Sequence, residues 1–104
     1  MYKSKIKKSM FDLNKSRFKD MLKKRHVDNK VEITKHFIER FMLRNEDVEF
    51  HLDAYKAIQH LANNICQYIF DFELGNKPSV IYNDIRIEML YNGDKIFLST
   101  IYRR

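Results

Sequence analysis

The hydrophobic period of this chain changes once, at Asn63-Asn64. Before that point apolar residues recur every three or four positions; after it they recur every second position. Those spacings are the signatures of helix and strand, so helices come first and strands follow. Segregated elements of this kind give an α+β domain, with N-terminal helices packed on one face of a small C-terminal antiparallel β-sheet.

Three helices are expected. Lys5 to Arg25 is amphipathic: Ile6, Met10, Leu13 and Met21 share one side, and Phe11, Phe18 and Leu22 widen it. Helical periodicity stops at His26-Val27-Asp28-Asn29-Lys30. Ile33 to Arg44 reads as the second helix, with Ile33, Phe37 and Phe41 on one stripe and Ile38 beside it. Thr34, Asp28 or Asn29 can each cap its start. Asn45 can cap a third helix, with Glu46 and Asp47 in its first turn, where the helix dipole favours anions. Its buried side is read as Val48, Leu52, Tyr55, Ile58 and Ala62.

Four strands are expected after it. Cys66, Tyr68, Phe70, Phe72 and Leu74 alternate with Gln67, Asp71 and Glu73, although Ile58, Leu61, Ile65 and Ile69 also keep helical spacing. Gly75-Asn76-Lys77-Pro78 is a turn. Ser79 to Tyr82, Ile85 to Tyr91 and Lys95 to Tyr102 follow, separated by Asn83-Asp84 and Asn92-Gly93-Asp94. Asn-Gly between β-rich runs is a strong hairpin signal.

At 104 residues the chain is expected to be one domain over 1–104, a basic amphipathic helix over 1–30 and an α+β body over 31–104. Its net charge of +6 is uneven. Residues 1–30 carry eleven Lys and Arg against three Asp; residues 31–104 carry nine against eleven Asp and Glu. A basic arm of this kind favours a polyanion: nucleic acid or an anionic membrane surface. Lys8, Lys15, Lys19 and Lys23 lie opposite the apolar side of the first helix, either as a solvated face or as phosphate contacts. The helix lacks Trp and the rest of the chain is mildly acidic, so no membrane partner is expected. No apolar h-region follows the basic start and no run approaches 18 apolar residues, so a cytoplasmic protein is expected. The one cysteine, Cys66, excludes an internal disulfide and is read as a buried small hydrophobe.

His36, Arg40 and Arg44 are spaced i, i+4, i+8 on the second helix and point the same way. Two guanidiniums beside an imidazole suit a phosphate: the arginines neutralise charge and the histidine moves a proton. Arg40 and Arg44 can equally pair with Glu39, Glu46 or Asp47 on the surface. His51 and His60 are nine apart and share no helix face, and no His-Glu-x-x-His pattern exists, so no metal and no cofactor is expected. Arg44-Asn45 followed by His51 resembles the signature of all-helical HEPN ribonucleases, but the strand-rich C-terminus argues against that fold. At the other end Tyr102, Arg103 and Arg104 add aromatic and cationic groups to the last strand, as ligand contacts or as a solvated terminus.

The stretch Thr34-Lys35-His36-Phe37-Ile38-Glu39-Arg40-Phe41-Met42-Leu43-Arg44 resembles the first motif of small endoribonucleases of the RelE-type fold, above all the phage early-mRNA endoribonucleases of the RegB type. Their helix opens with Ser or Thr, then one residue, then His, with arginines four and eight residues on. Thr100 to Arg103 is similar to their closing Thr-x-Tyr-Arg strand. The resemblance spans residues 33–104, and only the eleven-residue motif is specific. It implies metal-independent cleavage of RNA, foremost mRNA, by attack of the 2′-OH to leave a 2′,3′-cyclic phosphate. His36 would be acid or base, and Arg40, Arg44, Tyr102 and Arg103 would contact the phosphate or RNA. The phage enzymes carry a second histidine twenty residues after the first; that position is Lys56 here, and His60 lies one turn on. Either is the expected partner of His36. A host protein or the ribosome, and a protein inhibitor, are the further partners implied.

Two other classes remain. One is a non-catalytic RNA- or DNA-binding regulator, with Tyr68, Tyr82 and Tyr91 of the sheet stacking bases. The other is a small phage protein that binds a host enzyme through its helices.

Overall fold

A computed structural model of the protein describes residues 8–44 and 47–104. The order is α1 (Lys8–Lys24), β1 (Val31–Ile33), α2 (Lys35–Met42), α3 (Val48–Asn63), α4 (Ile65–Glu73), β2 (Ser79–Tyr82), β3 (Ile85–Tyr91) and β4 (Ile96–Arg103). The fold is α+β, with the helices mostly N-terminal and packed against one face of a four-stranded sheet ordered β1-β4-β3-β2.

Three elements differ from the reading of the sequence. Helix α2 spans Lys35–Met42 and not Ile33–Arg44: Ile33 belongs to β1, and Arg44 lies past the C-cap Leu43. Residues 66–73 lie in helix α4, with Leu74 as its C-cap, and not in a strand. Ile65 is buried there, whereas Cys66, Phe70 and Leu74, four apart, form an exposed stripe. Cys66 is therefore exposed and not a buried hydrophobe. The missing strand is β1, which runs parallel to β4 with Val31 beside Ile96 and Ile33 beside Leu98. The sheet is consequently mixed and not wholly antiparallel.

The end of α1 follows from its last turn. Val27 N–H donates to Leu22 C=O at 3.1 Å and His26 N–H to Lys23 C=O at 3.0 Å. This is the paired closure that stops a helix with one residue in the left-handed region, and His26 is that residue (φ 60°). Leu22 and Val27, which such a closure brings together, are both buried. Thr34 caps α2: its Oγ1 accepts from Phe37 N–H at 3.1 Å and donates to Leu98 C=O at 2.8 Å. One hydroxyl thus starts the helix and ties it to β4. Asp47 caps α3 through Phe50 N–H at 2.9 Å; Asn45, the expected cap, lies outside the described residues.

One core runs from α1 to β4. Phe18 meets Phe41 edge-on at 4.9 Å and Phe37 at 5.8 Å, with Tyr55 5.2 Å away. The stripe of α1 is centred on Phe18 and Leu22, while Met10 and Leu13 are exposed and Ile6 lies outside the described residues. The buried side of α3 is Phe50, Ala54, Ala57, Ile58, Leu61 and Ala62, and Val48 and Leu52 face solvent. Ala54 and Ala57 are small enough to let β2 and β3 approach, which turns the helix away from the expected stripe. The β3–β4 hairpin forms at Asn92-Gly93: Asn92 Oδ1 accepts from Asp94 and Lys95 N–H, and Gly93 takes a φ of 92°.

Candidate functional site

β1 covers only Ile96–Leu98 of β4. Beyond Leu98 the outer edge of β4 has no strand neighbour among the described residues, and α2 packs against β4. Arg40 of α2, with Leu43 and Arg44 just past its end, faces Ile101 and Tyr102 there, around a groove of about 420 Å³. His36 stands exposed one turn before Arg40 on the same helix face, outside the lining of the groove. Among the described residues neither Arg40 nor Arg44 makes an ion pair. Arg44 lies over the Phe50 ring at 5.3 Å from its centroid, which steadies it without neutralising it.

Tyr102 belongs to a network that sequence reasoning missed. Its hydroxyl donates to Glu88 Oε2 at 2.7 Å, and Ser79 Oγ donates to Glu88 Oε1 at 3.2 Å. Arg86 Nε lies 2.8 Å from Glu88 Oε2, outside hydrogen-bonding alignment, and its Nη2 donates to Ser79 Oγ at 3.2 Å. Register explains the cluster: Arg86 is opposite Tyr102 and Ser79 opposite Glu88, on the face of the sheet away from the helices. The bond from Tyr102 holds the Glu88 carboxyl below its ordinary range, against the opposing effect of burial, and the same bond raises the Tyr102 phenol. The polar alternation Arg86-Ile87-Glu88 is the only local signal for these residues.

The other expected site residues lie elsewhere. Arg103 is bound to Asp84, sits 3.9 Å from Asp47 and lies 5.9 Å from the Phe50 centroid. Asp84 holds it protonated, and Arg103 holds Asp84 below the usual carboxylate range. Its charge is already answered within the fold. Lys56 and His60 are exposed, one turn apart on α3, and neither lines the groove. His60 Nδ1 is instead 3.5 Å from the Asn64 amide. Lys15, Lys19 and Lys23 line a separate groove of about 530 Å³ between α1 and β1, together with Asp12, Asp20, Asp28 and Glu32. Three ammonium groups thus meet four carboxylates. The side chain of Lys8 lies outside the described residues. Tyr82 and Tyr91 pair with Ile85 and Ile96 on the helix-facing side, and Tyr68 is on α4, so these tyrosines form no common stacking face. His51 stacks on Phe41 at 4.1 Å, and its buried Nε2 has no partner among the described residues.

Comparison of the chain with protein-family models, curated proteins and solved structures returned no match. No described helix is long and apolar enough to cross a membrane.

Proposed function

We propose that the protein is a metal-independent endoribonuclease acting at the groove between α2 and β4. The observation that carries this reading is the run of exposed His36 and Arg40 on one face of α2 and Arg44 just past its end, with both arginines set against Tyr102. The chemistry needs a proton acceptor beside two fixed cations, and this run supplies them. His36 takes the proton of a ribose 2′-OH as that oxygen attacks the adjacent phosphorus. Arg40 and Arg44 bind the non-bridging oxygens and stabilise the charge that builds on them. The P–O5′ bond breaks, the 5′-oxygen takes a proton from water, and a 2′,3′-cyclic phosphate remains. Tyr102 bounds the groove with its hydroxyl proton committed to Glu88.

The test is digestion of mRNA in EDTA with mapping of the ends. Cyclic-phosphate ends that vanish with His36→Ala support the reading; cleavage that needs added Mg²⁺, or that His36→Ala leaves unchanged, sinks it. A second reading, RNA binding without cleavage, draws on the position of Lys56 and His60 outside the groove, which leaves His36 without a second acid–base side chain. It expects salt-sensitive binding and intact RNA.

A further inference from the structure

None of the described basic residues among the first thirty lines the α2–β4 groove. Where those charges are uncompensated is decided by the packing of α1 on α3. Phe18 of α1 touches Tyr55 of α3, and farther along the same contact Met21, Lys24 and Arg25 meet Gln59 around a recess of about 280 Å³. No carboxylate lines this recess, and among the described residues neither Lys24 nor Arg25 makes an ion pair. Lys56 is one turn before Gln59 on α3 and exposed. The groove beside Lys15, Lys19 and Lys23 is the opposite case, because Asp12, Asp20 and Asp28 line it together with the three lysines, and Glu32 there pairs with Lys95.

We infer that the Lys24–Arg25–Gln59 recess, with Lys56 at its rim, is a second anion subsite that holds the backbone of single-stranded RNA. The ammonium and guanidinium groups match phosphate oxygens, and the Gln59 amide supplies a neutral donor and acceptor for a ribose. The recess lies about 13 Å along α3 from Phe50, the residue beneath Arg44, a helical rise of nine residues. A membrane surface fits less well. Phe18 and Leu22 of α1 are buried in the core, the exposed Met10 and Leu13 lie two turns or more before Met21 along the helix, and the recess itself offers only Met21. The inference rests on the ribonuclease reading for the identity of the polyanion alone.

The test uses the full chain in a His36→Ala background, so that the strand stays intact. Binding of a labelled 20-nucleotide single-stranded RNA is measured against salt concentration. Each phosphate contact to a single strand contributes about 0.7 to the log–log slope, so Lys24→Gln with Arg25→Gln flattens it by about 1.4. The control pair Lys15→Gln with Lys19→Gln removes the same formal charge and leaves the slope unchanged. An unchanged slope in the first pair, an equal loss in both pairs, or no RNA binding by the parent chain overturns the inference. So does a loss seen on phosphatidylserine vesicles and not on RNA. Failure of the ribonuclease reading shows separately, as RNA left intact by the chain that retains His36.

Discussion

Tyr102 and Glu88 are joined across the β3–β4 register by a 2.7 Å hydrogen bond in which the phenol donates. That bond is the largest cause of the depressed Glu88 pKa. A carboxyl that titrates lower in the folded chain than in the unfolded chain stabilises the fold above its unfolded value, near 4.3. That stability drains as pH falls through the folded value, because the unfolded chain binds the proton first. The melting temperature is therefore expected to fall between about pH 5 and pH 3. Glu88→Gln should flatten this part of the profile. Tyr102→Phe should move the Glu88 carboxyl upward, read by carbon-detected NMR titration. A Glu88 midpoint unmoved by Tyr102→Phe contradicts this account.

Thr34 carries two duties with one hydroxyl, capping α2 and bonding to Leu98 of β4. Removing a cap of this kind costs about 1 kcal/mol. The lost bond to Leu98 adds to that. Thr34→Ala should lower the melting temperature by about 4–8 °C for each kcal/mol lost. Thr34→Ser keeps the oxygen and should restore most of it. Equal melting points for the Ala and Ser variants would remove the hydroxyl from the explanation.

His26 holds a left-handed backbone conformation that costs a side-chain-bearing residue about 1–2 kcal/mol. Glycine relieves that strain and gives back roughly 0.5–1 kcal/mol in unfolded-state entropy. His26→Gly should therefore stabilise the protein by some tenths of a kcal/mol to about 1 kcal/mol. His26→Val, which is branched at Cβ, should destabilise it. Chemical denaturation of the two variants gives the sign of each change.

Phe18 decides whether α1 is an appended arm or part of the body. It is fully buried and touches Phe37, Phe41 and Tyr55. Phe18→Ala should cost about 3–5 kcal/mol, a large share of the stability of a small domain. Met10→Ala, on an exposed site of the same helix, should change stability by less than about 0.5 kcal/mol. Similar urea midpoints for the two variants would return α1 to the status of an arm.

The legible parts of this fold are the local ones. The face shared by His36 and Arg40 follows from helical spacing alone, and Thr34 and the Asn92-Gly93 turn act within a few residues of themselves. Residues 66–74 satisfy both periods at once, and only packing settles them as a helix: Ile65 is buried while Phe70 and Leu74 are not. β1 is three residues long, too short for alternation to register, and it exists through its pairing with β4 more than sixty residues on. The groove was half legible for the same reason. Arg40 is set by its helix, but Arg44 lies past the helix end, and Tyr102 meets both only because α2 packs against β4. Glu88 and Arg86 join Tyr102 through strand register, which no local pattern encodes.

The placement of Lys56 and His60 yields the sharpest test of the site. Twenty-residue spacing after His36 made Lys56 a candidate acid–base group, yet a spacing of that length says nothing about direction once the chain has turned between α2 and α3. Lys56 and His60 stand on α3 outside the groove, whereas Arg40 and Arg44 line it. Removing one preorganised charge-stabilising group from a reacting centre typically costs about 10²–10³ in rate. Arg40→Gln and Arg44→Gln should each lower kcat for RNA cleavage by about that factor. Arg40, exposed and unpaired among the described residues, should leave the melting temperature within a few degrees of the parent. His60→Ala should leave kcat within a few-fold, and Lys56→Ala should raise KM on long RNA without lowering kcat on a dinucleotide. A collapse of dinucleotide cleavage in either α3 variant would put the second acid–base group back on α3 and require the groove to be redrawn around it.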